Sequence, residues 1–200
     1  MLGCAQHGLY EDTAQRLKGR AELLLRASGG GAVLTGPWLV SASLALPPEH
    51  PWVRDGLMDS YRRLGQLHQA VLDALGATAR TVAPQDLKAS RAAPDAHAVG
   101  WACFGSLSPW ELVDAAGRKL VGLAQRRQRS GVLLVAGTLV GQPDWALLCE
   151  AMGHPEAASV LQERTSCVEA NIGQTITARQ FASALSQELQ SACFQNSECY

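Results

Sequence analysis

Arg26-Ala27-Ser28-Gly29-Gly30-Gly31-Ala32-Val33 sets three successive glycines in a short, otherwise mostly apolar stretch. Without side chains to cover them, the backbone N–H groups of such a segment can cradle an anion or a carboxyl-derived group. Taken alone, the run fits a sharp turn or bulge equally well. A second stretch gives it meaning: Gly117-Arg118-Lys119-Leu120-Val121-Gly122-Leu123-Ala124-Gln125-Arg126-Arg127 places one lysine between glycines and beside apolar residues. A lysine and exposed N–H groups together suit an activated acyl group.

Working outward from the glycines, residues 21–25 are apolar with one charge and read as a strand that ends in the glycine turn. Residues 38–46 alternate serines with larger residues, the period of a half-buried strand, and Pro47-Pro48 stops it. Residues 59–75 carry Tyr61, Leu64, Leu67, His68, Val71, Leu72 and Leu75 at helical spacing, closed by Gly76. Residues 77–100 read as a short strand near 81–83 and a mobile loop, which leads to Cys103. Residues 110–113 and 119–125 form a hairpin around 114–118, followed by a strand over 131–140. Helices are expected over 145–152, 155–162 and 177–194. Strands early and helices late predict an α+β fold.

The chain has 200 residues, 47% of them hydrophobic and 18% charged, enough to bury the core of a single domain over 1–200. A formal net charge of -1 gives no reason to expect a nucleic acid or an anionic membrane as partner; Arg126, Arg127 and Arg129 make only a local basic cluster. Apolar runs are too short to span a bilayer and no secretory signal opens the sequence, so a cytoplasmic location is expected. The six cysteines, Cys4, Cys103, Cys149, Cys167, Cys193 and Cys199, include no C-x-x-C pair. Free thiols and no metal site are expected. The histidines His7, His50, His68, His97 and His154 are scattered.

Residues 26–33 resemble the R-x-[ST]-G-G-G-A-V loop of the lipoate–protein ligase A family, which includes related octanoyltransferases and shares its catalytic fold with biotin ligases. Residues 117–127 are similar to that family's G-[RK]-K-[IL]-x-G-x-A-Q-R-R segment, and Ala102-Cys103-Phe104 to the A-C-F segment preceding it. Leu161 to Glu169 resembles an L-x-x-R-T-T-S-L-x-E stretch, so the likeness spans nearly the whole chain. The resemblance implies a mixed, largely antiparallel sheet with flanking helices, a biotin/lipoate protein ligase-like catalytic domain. It also implies an apolar tunnel for lipoate or octanoate, with the glycine loop at its activated carboxyl end. The acceptor it implies is a lysine on a lipoyl domain, of a 2-oxoacid dehydrogenase E2 or a glycine cleavage H protein.

A carboxylic acid must be activated before it forms an amide, either as an acyl-adenylate or as a thioester on an enzyme cysteine. In the ligase reading, which leads, ATP and Mg supply the adenylate and the Lys119 ammonium contacts its phosphate and acyl carbonyl. In the octanoyltransferase alternative no cofactor is needed: acyl carrier protein donates the chain to Cys103, and Lys119 assists the thiolate. A noncatalytic module that binds lipoate or the acceptor domain is the third reading. The catalytic pair is Lys119 and Cys103, although a free cysteine is also an ordinary small core residue. Arg26, Ser28, Gly29, Gly30, Gly31, Ala32, Gly122, Ala124 and Gln125 are the acyl- or adenylate-binding candidates, with Arg126 and Arg127 as outer contacts.

Two departures from the family pattern stand out. Val33-Leu34-Thr35-Gly36-Pro37 and Val135-Ala136-Gly137 lack the histidines that relatives often carry there, and threonine cannot act as a base. Met1 to Gln6 resembles an L-G-x-x-Q segment that normally follows a first helix and strand, so the chain is expected to lack both, and to leave no room for an accessory C-terminal domain.

Overall fold

Alternation along the strands decides how this protein is layered. The structure, a computed structural model, describes residues 1–91 and 99–194. In chain order the elements are α1 (Tyr10–Leu17), β1 (Leu39–Leu46), α2 (Leu57–Ala74), β2 (Ala79–Thr81), α3 (Pro84–Arg91), β3 (Leu112–Asp114), β4 (Lys119–Gln128) and β5 (Gly131–Leu139). The helices α4 (Trp145–Met152), α5 (Ala158–Arg164), α6 (Val168–Ile172) and α7 (Ala178–Phe194) follow. The five strands form one sheet in the order β1-β5-β4-β3-β2, and each neighbouring pair runs antiparallel. This is the α+β fold with a largely antiparallel sheet that the sequence predicts; among the described residues, parallel pairing is confined to the isolated bridges Leu2–Leu25, Ala32–Ala102 and Lys119–Thr165.

On one face of the sheet, Val40, Leu134, Ala136, Val121 and Leu123 join Leu64, Val71 and Leu72 of α2 and Phe181, Leu185 and Leu189 of α7 in the larger core. A second core, on the side of the N-terminal segment, gathers Leu2, Ala32, Val33, Ala102 and Phe104 with Leu148, Cys149 and Met152 of α4 and Leu161 of α5. Two loops, not strands, therefore supply much of that second layer.

Turn chemistry sets the β3–β4 register. Asp114 is buried; its Oδ1 accepts the N–H groups of Ala116 (3.0 Å) and Arg118 (2.8 Å), and Gly117 takes a positive φ of 81°. Between Leu112 and Val113 the pairing slips by one residue, since Leu112 faces Val121 while Val113 faces Lys119. The bulge turns Leu120 and Val121 both into the helix-covered core.

Several sequence expectations need correcting. Residues 21–25 form no strand: one bridge joins Leu25 to Leu2, and Leu24 and Leu25 stay about half exposed because no neighbouring strand pairs with them. The short strand lies at Ala79–Thr81, slightly earlier than 81–83, and α3 occupies much of the stretch read as loop. The rest of that loop, with His97, falls on residues 92–98 outside the described residues, as does Cys199. Helix α1 escapes the apolar-stripe test because only Thr13 and Leu17 are buried along it. Helices also interleave with strands from α2 onward, so the expected strands-then-helices order does not hold. No helix among the described residues is long and apolar enough to cross a membrane.

His68 is fully buried on α2, where its Nδ1 lies 2.8 Å from the Leu64 carbonyl and its Nε2 has no partner. Burial lowers its pKa from 6.5 to about 4. The unfolded chain thus binds a proton that the folded protein refuses, and this contribution to stability, intact above the unfolded pKa, is lost as pH falls toward 4. Between pH 7 and pH 5 His68 alone should cost about 2 kcal/mol of unfolding free energy, measurable by urea titration. A His68→Leu protein should show a flatter pH dependence in that window; an unchanged slope would refute this origin.

Candidate active site

Backbone hydrogen bonds bring the two sequence-predicted loops side by side. The Ala32 N–H donates to the Trp101 carbonyl (2.7 Å) and the Cys103 N–H donates to the Ala32 carbonyl (2.8 Å). Gly31 makes this approach feasible: a Cβ there would lie 2.4 Å from the Trp101 oxygen. Cys103, half-buried, consequently sits beside the glycine loop.

In front of the sheet opens a cavity of about 270 Å³, bounded by Arg26, Ser28, Thr35, Cys103, Phe104 and residues of β1, β5 and β4. Strand register explains the floor. Ser41 pairs with Gly137, which pairs with Gly122; Ser43 pairs with Val135, which pairs with Ala124. These two rows of mostly small side chains share the sheet face opposite the helix-packed core. The positions that lack family histidines, Thr35 and residues 135–137, belong to the same wall, which is left mostly apolar.

Lys119 reaches this face because of the bulge. In a regular strand, residues three apart point to opposite faces. Here a Cβ built on Gly122 would lie 3.5 Å from the Cys103 Sγ and 3.6 Å from the Lys119 Nζ, so thiol and ammonium flank one spot at the cavity end. The ammonium is 3% exposed and has three close acceptors: the carbonyls of Cys103 (2.7 Å) and Ser106 (2.9 Å), and Oε2 of Glu111 (2.7 Å). It also stands 5.4 Å from the centre of the Phe104 ring. Glu111, equally buried, accepts the N–H of Leu123 on Oε1 (3.0 Å) and that of Ser108 on Oε2 (2.7 Å).

Not all candidates converge. Arg26 lines the cavity, and its Nη2 donates to the Gly31 carbonyl (2.8 Å) while its buried Nε has no partner. Ser28, Gly122 and Ala124 also line it, but Gly29, Gly30 and Gly31 do not, and Ala32 is buried in the second core. Among the described residues, no bond within the chain uses the N–H groups of Gly29, Gly30 and Gly31. Gln125 points to the opposite face, where its Nε2 donates to the Leu57 carbonyl (3.1 Å). Arg127 likewise ties β4 to the Val53 carbonyl (2.6 Å), whereas Arg126 shares the cavity face at its outer end, over Leu133. Glu111 was hidden in the sequence within an apolar strand pattern; the bulge that brings it to Lys119 carries no sequence signature. Among the other cysteines, burial pushes the thiols of Cys149 and Cys193 up to about 11, leaving little thiolate at neutral pH.

Comparison with known proteins places this geometry. The lipoyl protein ligase A/B catalytic domain family matches residues 1–190, and the chain belongs to that family. Octanoyltransferase LipM of Moorella thermoacetica is 36% identical over 139 residues, covering 70% of this chain and 48% of the relative. Octanoyltransferase LipM of Kyrpidia tusciae is 30% identical over 154 residues, covering 77% of the chain and 54% of the relative. The chain thus spans about half the length of these curated relatives. A lipoate–protein ligase A crystallised with ATP has the same fold, with a TM-score of 0.63, 19% identity, and coverage of 95% of this chain and 66% of that one. So has the bipartite lipoate protein ligase of Thermoplasma acidophilum, studied with its E2 lipoyl domain, at a TM-score of 0.65, 16% identity, and coverage of 95% and 65%.

If the small side chains of the floor make the room, filling one should close it. Ala124→Phe should reduce uptake of a small apolar probe by the cavity, followed by NMR, at least about tenfold while leaving the far-UV spectrum unchanged. Undiminished uptake would place the probe elsewhere.

Proposed function

We propose that this member of the lipoyl protein ligase A/B catalytic family is the acyl-transfer part of an octanoyltransferase, with Cys103 as its nucleophile and a lysine of a lipoyl-acceptor domain as its final acceptor. The observation that carries this reading is the meeting of the Cys103 Sγ and the Lys119 Nζ over Gly122, at one end of an apolar cavity. The likeness to two octanoyltransferases supports it.

The chemistry runs in two halves. The Cys103 thiolate attacks the carbonyl of an octanoyl thioester carried by acyl carrier protein; the new S–C bond forms, the old one breaks, and the carrier thiol leaves with a proton. The amine of the acceptor lysine then attacks the Cys103 thioester, an amide forms, and the amine's proton is released as the thiolate returns. The cation of Lys119 stabilises the thiolate in both halves, and the unused N–H groups of the glycine loop, which runs beside Cys103, are the donors assigned to a developing oxyanion. The octanoyl chain lies along the Ser43-Val135-Ala124 row. Lipoate fits the same wall.

The ligase route finds less support. Among the described residues the cavity wall offers one arginine, Arg26, and no carboxylate, a donor set poorly matched to a magnesium nucleotide. No step is therefore assigned to ATP or magnesium.

Pure protein mixed with octanoyl-acyl carrier protein and an apo lipoyl domain, without ATP, should octanoylate the domain, as read by intact mass. Cys103→Ser should lower the rate by at least about a thousandfold. Transfer seen only with free octanoate plus ATP, and undiminished in Cys103→Ser, would select the ligase; binding without transfer under either condition would select a noncatalytic module.

A further inference from the structure

The buried carboxylate of Glu111 belongs to the site, yet it does not touch the cavity. Each of its oxygens accepts a backbone N–H, one from Leu123 in the cavity-lining strand β4 and one from Ser108 in the loop that carries Cys103. The same carboxylate holds Lys119 at 2.7 Å, with both side chains 3% exposed. Glu111 therefore joins the cavity strand, the nucleophile loop and the site's lysine at one point.

The chain maintains this arrangement against its own backbone preferences. Trp110, just before Glu111, adopts a positive φ of 67°, a conformation disfavoured for a bulky residue. Its carbonyl lies against α2 at Gly65, where an added Cβ would come within 2.3 Å of the oxygen. Its N–H donates to the Val82 carbonyl (2.7 Å), which holds the strained residue to the segment after β2. Strain of this kind persists where the surroundings over-determine it, and here it aims Glu111 away from solvent.

We infer that Glu111 is a positioning residue for the acyl-transfer site: it fixes the Lys119 ammonium on the Cys103 loop and balances its charge, so that the thiol faces a neutral pair and not a bare cation. The inference deepens the transferase reading and rests on Cys103 being that site's nucleophile. Among the described residues, the other charged or titratable groups close by are Arg26 and Met1 on the cavity wall, and Tyr61, whose phenol is held in its protonated form by burial and, less, by Glu111.

The test measures alkylation of Cys103 by iodoacetamide against pH, resolved from Cys4 by peptide mass spectrometry, in the full chain. Glu111→Gln leaves the Lys119 charge uncompensated and should lower the pH midpoint by about one unit or more. Glu111→Asp, which keeps the charge but shortens its reach, should lower it less. Lys119→Met should raise it, because the carboxylate then acts on the thiol alone. Far-UV spectra and melting curves identify the folded variants, and the Lys119→Met and Glu111→Asp arms decide the matter if Glu111→Gln does not fold. Midpoints equal to wild type, or displaced in the same direction by Glu111→Gln and Lys119→Met, would overturn the inference. Absence of octanoyl transfer in wild type would overturn the transferase reading and with it the role of Glu111 at an acyl-transfer site, whereas unchanged alkylation midpoints in a protein that does transfer octanoyl groups would overturn this inference alone.

Discussion

The paired backbone hydrogen bonds between Ala32 and residues 101 and 103 hold the two halves of the site in one place. They let a loop near the N-terminus and a loop seventy residues later lie side by side without a strand in either. What stabilises that contact is the second core, where Ala32, Val33, Ala102 and Phe104 share apolar neighbours with α4 and α5. Each of the larger buried side chains there, such as Val33 and Phe104, contributes about 1.5–3 kcal/mol relative to exposure. The glycine loop accordingly works through what it lacks: no side chain keeps Gly31 from the Trp101 carbonyl.

A second constraint follows from the bulge between β3 and β4. Without that slip, alternation would send Lys119 into the helix-packed core along with Val121 and Leu123. With it, the ammonium joins Glu111 and the Cys103 loop, and a buried ion pair replaces what would be an uncompensated charge. Removing one partner of such a pair generally costs about 3–5 kcal/mol, so lysine, carboxylate and loop carbonyls stand or fall together.

Much of this architecture was legible in the residue pattern. The serine alternation of β1 exposes Ser41 and Ser43 on the cavity side, and the stripe from Tyr61 to Leu75 marks α2. The hairpin around Gly117 reads directly from its turn residues. What stayed hidden depends on tertiary placement. Residues 21–25 look like a strand but have only Leu2 to pair with, and α1 buries too few side chains to leave a stripe. At the site, the resemblance to the family's motifs named Cys103, Lys119 and Arg26, but it also placed Gln125 with the ligand, although strand alternation turns it toward α2. Glu111 could not be found this way, since one bulge and one strained tryptophan bring it to Lys119.

If Cys103 carries the acyl group, the acyl-enzyme can be trapped on it. Brief incubation with octanoyl-acyl carrier protein, without an acceptor domain or ATP, followed by acid quench and peptide mass spectrometry, tests it directly. One octanoyl group is expected on the peptide containing Cys103, removed by hydroxylamine and absent from Cys103→Ser. An unmodified Cys103 peptide in protein that then octanoylates an added lipoyl domain at full rate would contradict that role for Cys103.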